Sequence, residues 1–312
     1  MQLAKTARQK QRFAGYSSLL VLVSLVTMIP GALFAQDAET ADRKVIVCST
    51  TQVADFARQV VGDRWEVRCV LGPGEDPHTY STGVDDLNSV KEADLCLENG
   101  WHLEGNEWMK ALAEQAGKPL VTCVTGIEGI DIDEDGEVVK DPHAWFDPRN
   151  AWIYTKNIRD AVIELDPENE AEYRARAALY QSQLRLLDGW IKSQLNQVDV
   201  RLLVTHHDAF GYFCEQYDFQ AMSPVGWNTG ELAGMSAETR QEIVDGIREL
   251  GVKALFVEST VNSKTLDEIA SDAGVEIGGT LYSDAMGAEG TAGETYLGMM
   301  RENVLTIVNA LK

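Results

Sequence analysis

The sequence predicts an α/β protein made of two similar (β/α)4 lobes with parallel sheets, joined by one long spanning helix. Three observations carry that prediction. Short apolar runs alternate with amphipathic helical stretches from residue 44 to the end, the pattern of parallel sheets with helices on both faces. Four such runs precede residue 150 and four follow residue 200. Between the two sets lies one apolar series of helical period, the longest in the chain.

The predicted strands are 44–49, 65–71, 93–98 and 120–124, then 201–205, 219–223, 254–258 and 275–281. The helical stretches between them include 53–61, 103–116, 237–250 and 266–273. The long series starts after Asp166-Pro167-Glu168, a cap with proline at the first turn. Tyr173, Ala177, Tyr180, Leu184, Leu187, Ile191 and Leu195 then recur at three- and four-residue steps, with Gly189 the one interruption. A helix over 168–196 would be roughly 45 Å long, enough to run across both lobes as a stiff spine. The expected division is a lobe at 36–150, linking helices at 151–198 and a second lobe at 199–312.

Residues 1–35 read as a secretory signal peptide. Lys5, Arg8, Lys10 and Arg12 form a positive start, 19–34 is largely apolar, and Ala-Leu-Phe-Ala-Gln offers a cut after Ala35. The competing reading is an uncleaved membrane anchor; Pro30-Gly31 near the end of the segment argues against it. No cysteine stands at the end of the apolar stretch, so a lipid anchor is not expected. The mature protein is expected outside the cytoplasm, in the periplasm.

Removing that segment takes away four of 27 basic residues and none of 49 acidic ones, for a formal charge of −26. Such a surface repels nucleic acid and anionic lipid and concentrates cations around it. The remaining length suffices for two domains with proper cores. Five cysteines in an exported chain raise the question of disulfides. Cys48, Cys69, Cys96 and Cys123 fall in or beside the predicted strands and Cys214 on a helix, which favours buried thiols over a bridge between strands. The acidic stretch 126–140 partly mimics a calcium loop, but Pro142 stands where the bidentate glutamate belongs. It is expected to be a solvated loop.

Four candidate site residues each follow a predicted strand: His78, His143, His207 and Asp284. In parallel α/β sheets ligands bind outside the carboxyl ends of the strands, so two facing lobes can bring such residues to one point. Three imidazoles and a carboxylate are a full tetrahedral set for a divalent transition metal. His206 and His207 are adjacent, and one of the two is expected to bind. His102 has no place after a strand and is read as structural, and Glu258 as a supporting or capping group. No nucleophile motif and no His-Glu-x-x-His accompany the set.

These motifs resemble the zinc/manganese solute-binding family, the metal-binding receptors of bacterial ABC importers. The resemblance rests on Pro77-His78, Ala93-Asp94-Leu95 with Asn99-Gly100, Asp141-Pro142-His143-Ala144-Trp145 with Asp147-Pro148, and His207-Asp208-Ala209-Phe210-Gly211-Tyr212-Phe213. Phe256-Val257-Glu258 and Leu281-Tyr282-Ser283-Asp284 complete it. It covers nearly all of the mature chain and implies His78, His143, His207 and Asp284 as ligands, with His207 chosen over His206 on the family pattern. Ser81-Thr82-Gly83 departs from the family's usual Glu-Pro, the stretch 226–230 is atypical, and an acidic loop replaces the histidine-rich one of many zinc receptors.

What the resemblance implies is a monomeric exported protein that carries one divalent ion, zinc or manganese, to an ABC permease in the inner membrane. Three nitrogens and one oxygen suit zinc, whereas the segment 290–296 is similar to manganese-type relatives. The rival readings are a secreted zinc-dependent hydrolase and a surface adhesin. A catalytic zinc keeps an open position, which a four-residue set lacks, and no adhesive repeat is present.

Overall fold

The computed structural model describes residues 43–134, 136–223 and 237–312. The expected signal segment 1–35 with its cut after Ala35, Asp135 of the acidic stretch, and the atypical stretch 226–230 lie outside the described residues.

The first sheet holds β1 (Val45–Cys48), β2 (Glu66–Cys69), β3 (Leu95–Glu98) and β4 (Leu120–Thr122), all parallel, in the order β2-β1-β3-β4. Strand β1 is buried on both faces, which is why its run is apolar throughout. Ile46 and Cys48 enter one core; Val45 and Val47 enter another. Helix α1 (Thr51–Val61) covers the first face with Val53, Phe56 and Val60. Helices α2 (Val84–Glu92) and α3 (Trp108–Ala116) cover the second with Val90, Trp108, Met109 and Leu112.

The acidic stretch is not the solvated loop that its charge suggests. It forms an antiparallel hairpin of β5 (Asp131–Glu134) and β6 (Glu137–Lys140), with Ile132 opposite Val139. Lys140 bridges back to Asp131 and to the Gly129 carbonyl, and Gly136 turns the chain at φ +87°. The acids outnumber the one apolar pair, Ile132 and Val139, that is half-buried across the hairpin.

Helix α4 (Pro148–Leu165) starts at an Asp147 cap with Pro148 at its first turn. After a 3-10 turn at Pro167–Asn169 the chain enters α5 (Glu170–Leu195), 26 residues or about 39 Å. It runs unbroken through Gly189, and its buried positions include the whole predicted series from Tyr173 to Leu195. Helix α5 packs on α4, α1 and the last helix, α9 (Tyr296–Leu311), so one rod touches elements from both ends of the chain. At that junction Phe56 of α1 lies against Tyr154, Tyr180 and Tyr296, with ring centroids 4.9–6.3 Å apart.

The C-terminal half holds two parallel pairs: β7 (Leu202–Val204) with β8 (Gln220–Met222), and β9 (Ala254–Glu258) with β10 (Glu276–Leu281). Strand β7 lies next to β9. Helices α6 (Gly211–Tyr217), α7 (Ala237–Glu249) and α8 (Lys264–Ala273) connect them. All five cysteines are free thiols; Cys69 alone is half-exposed. Among the described residues no helix is long and apolar enough to cross a membrane.

Candidate metal centre

His78, His143, His207 and Asp284 lie in loops that leave the carboxyl side of strands in both halves, and the structure brings all four together. One ligand-type atom from each lies within 4.8 Å of the others. The His78 Nε2 is 3.2 Å from the His143 Nε2. One Asp284 oxygen is 3.4 Å from His143 Nε2 and the other 3.3 Å from His207 Nε2. All four residues are buried, Asp284 at 1 % exposure and His78 at 7 %.

Neighbouring side chains aim the imidazoles. Asp141 Oδ1 accepts the backbone N–H of His143 at 2.9 Å and lies 2.8 Å from its Nδ1, which leaves Nε2 turned into the cluster. Glu258 plays the same part at the end of β9. Its Oε1 accepts the N–H groups of His206 and His207, both at 2.9 Å, and its Oε2 lies 2.7 Å from His207 Nδ1. A carboxylate behind a metal-facing imidazole fixes its tautomer and raises its basicity. His78 is braced through the backbone. Gly105 N–H and Trp108 Nε1 both donate to the Pro77 carbonyl, at 3.3 and 3.0 Å. A Cβ on Gly105 would stand 2.0 Å from the His78 carbonyl oxygen, so only glycine lets the two loops pack. Asn99 reaches the other loop, donating to the Pro142 carbonyl at 3.0 Å.

Electrostatics divides the set. Burial pushes His78 down to about 3, so this imidazole is neutral. Burial also opposes charge on His143, but Asp141 and Asp284 outweigh it and bring the group up to about 9. His207 is raised well above its ordinary value in the same way, burial being overcome by Glu258 and Asp284. Burial works against the Asp284 carboxylate too, yet His207 and His143 hold it well below the usual range. The cluster is therefore two imidazolium–carboxylate contacts and one neutral imidazole, which a dication entering between them would relieve of protons. Beyond those contacts, neither Asp284 oxygen has a hydrogen-bond partner among the described residues.

The chain matches the family model described as zinc-uptake complex component A, periplasmic, over residues 46–310. It belongs to this family. Among its relatives is the manganese-binding lipoprotein MntA of Halalkalibacterium halodurans, 33 % identical over 95 % of this chain and 98 % of that one. The zinc-binding protein TroA of Treponema pallidum is 33 % identical over 94 % of this chain and 96 % of its own. The solved structure of TroA superposes with a TM-score of 0.80 over 86 % of this chain and 99 % of that one, at 32 % identity. The manganese-bound periplasmic metal-binding protein of Candidatus Liberibacter asiaticus gives a TM-score of 0.76 at 29 % identity, over 86 % and 100 %. Members of this zinc-uptake component family are solute-binding proteins of metal transport.

The remaining sequence candidates sort clearly. His206 is buried and stands outside the four-residue set, with a ligand-type atom within 4.8 Å of His207 and Glu258; neither of its ring nitrogens has a hydrogen-bond partner among the described residues, and burial lowers it. Glu258 is a supporting group, as its strand-end position suggested. His102 sits at φ +63° in the loop before α3 and lines a different cavity, of about 330 Å³, with Glu98 and Glu107. Sequence reasoning missed the support given by Asp141, Asn99 and Gly105. The Asp141-Pro142-His143 spacing was a usable signal, because a carboxylate two residues before a histidine can fold back on its ring.

Proposed function

We propose that this protein captures one divalent transition-metal ion, zinc or manganese, on His78, His143, His207 and Asp284 and hands it to an ABC permease. The supporting observation is the set of edge lengths. A tetrahedron with metal–ligand bonds of 2.0–2.1 Å has ligand–ligand edges of roughly 3.3–3.4 Å. Three of the cluster's six edges are 3.2, 3.3 and 3.4 Å, and all of its ligand atoms lie within 4.8 Å of one another. Buried imidazole and carboxylate atoms at that spacing suit a dication that displaces the protons now held between them.

On this reading the protein has no catalytic role, because side chains supply every position of a tetrahedral ion and leave none for an activated water. The chain works as a periplasmic monomer, with residues 1–35 removed as a signal peptide after Ala35. Residues 36–150 form the N-terminal metal-binding lobe and 199–312 the C-terminal one, with 151–198 linking them.

Zinc outcompetes manganese at such a donor set whatever the physiological cargo, so supply in the compartment decides what is carried. The test is metal analysis of protein purified from its native compartment with both metals present. One equivalent of zinc or manganese per chain is expected. Protein that carries neither, and takes up neither on titration, would overturn the proposal.

A further inference from the structure

Two side chains at the start of α1 reach the loop that carries Asp284. Thr51 Oγ1 accepts a hydrogen bond from the Met286 N–H at 2.8 Å and donates to Gln52 Oε1 at 3.1 Å. The Gln52 Nε2 in turn donates to the Ser283 carbonyl at 3.0 Å. These three bonds form one relay that grips the loop on both sides of Asp284, across 231 and 235 residues of chain. Every member is buried: Thr51, Gln52, Ser283, Asp284 and Met286. The relay is not needed to start the helix, since Thr50 caps α1 by accepting the Val53 N–H.

Asp284 needs such a grip. Asp141 aims His143 and Glu258 aims His207, each through a carboxylate on the ring. Asp284 has no equivalent. Apart from the imidazole contacts its oxygens have no hydrogen-bond partner among the described residues, so the backbone on either side sets where they stand. That backbone is the part Thr51 and Gln52 hold. The following residue, Gly287, adds no stiffness of its own.

We propose that Thr51 and Gln52 are positioning residues that keep Asp284 over the three imidazoles, and that the bound ion leaves when this relay opens. The inference rests on the ligand assignment proposed above. It places the release control for the cargo in the first turn of α1, away from the histidines, and it explains two buried polar side chains that contribute nothing to the sheet. With the relay cut, Asp284 can swing off, and three imidazoles hold the ion less securely than four ligands.

The test compares the unaltered full chain with Thr51→Val and Gln52→Met, both close in volume to the residues they replace. Zinc-loaded protein is mixed with excess chromophoric chelator and the release rate is followed; cobalt-loaded protein is read by its visible absorption. Release about tenfold faster in each variant is expected, a change equivalent to about 1.4 kcal/mol. The cobalt spectrum should shift as the carboxylate withdraws, and Thr51→Ser, which keeps the hydroxyl, should restore slow release. Variants that melt at lower temperature without metal, yet release zinc at the original rate with the original cobalt spectrum, would overturn the inference and leave the relay a structural tie. An unaltered protein that binds no zinc, or a His143→Ala protein that binds as the unaltered one does, would instead sink the ligand assignment.

Discussion

Asp141 gives the sharpest prediction, because two opposing effects meet on it. Its Oδ1 holds His143 by the backbone N–H and by Nδ1, and with Asp284 it raises that imidazole to about 9. Asp141→Ala removes the group that aims Nε2 at the ion. Losing an outer-shell partner of this kind weakens metal binding by about 10- to 100-fold, or roughly 1.4–2.7 kcal/mol. The same change also lessens proton competition at His143, where Asp284 remains. An imidazole that titrates near 9 must lose its proton before it can ligate, which at pH 7 costs about a hundredfold in apparent affinity. The sign is fixed: His143 is protonated below about 9, so affinity rises with pH up to that point, and lowering its pKa helps binding only at lower pH. Asp141→Ala should therefore lose its full ~10- to 100-fold near pH 9 and markedly less near pH 7. Asp141→Asn keeps the acceptor and loses the charge, so its loss near pH 9 should be smaller than that of alanine. Competition with a chelator of known affinity, run at both pH values, reads all of this. An equal loss at both pH values, or no loss at pH 9, would refute the reasoning.

Three further outcomes follow from the same geometry. His207→Ala should abolish tight binding while His206→Ala changes it little, since Asp284 sits 3.3 Å from His207 Nε2; loss in His206→Ala alone, on titration, would reverse the assignment. Gly105→Ala puts a methyl 2.0 Å from the His78 carbonyl, so it should cost about 1–3 kcal/mol of stability and weaken metal binding as His78 moves; unchanged melting and titration curves would contradict the bracing role. Saturating zinc should raise the melting temperature near pH 7, by the equivalent of about 4 kcal/mol at a thousandfold excess over Kd. That gain should fade as acid protonates His143 and His207 more completely, and calorimetry showing no shift at neutral pH would speak against the site.

The fold was legible where the apolar pattern had no competitor. The eight predicted strands all appear, 254–258 with its predicted bounds and the others shorter by one to three residues, because runs such as Val45–Cys48 are buried on both faces and carry nothing else. The seven-residue series from Tyr173 to Leu195 predicted the buried stripe of α5, although the helix starts at Glu170, after the 3-10 turn that Pro167 imposes. The hairpin at 131–140 was hidden because five acids outweighed one isoleucine and two valines in the composition, and its second strand does not alternate. That His78, His143, His207 and Asp284 meet was legible from their places after strands together with the family resemblance. Of the groups behind them, Glu258 was legible from its strand end, but most were not. Thr51, Gln52 and Gly105 act through backbone groups from 27 to 235 residues away in the chain, and no local pattern marks such contacts.

The central claim is that three imidazoles and one carboxylate surround a single ion. X-ray absorption at the zinc edge of the loaded protein, with metal content measured on the same sample, tests it most directly. The account predicts one zinc per chain, a first shell of nitrogen and oxygen near 2.0–2.1 Å, and outer scattering from three imidazole rings, one fewer in His143→Ala. A sulfur scatterer near 2.3 Å, which would bring one of the five free cysteines into the shell, or an imidazole count untouched by His143→Ala, would contradict it.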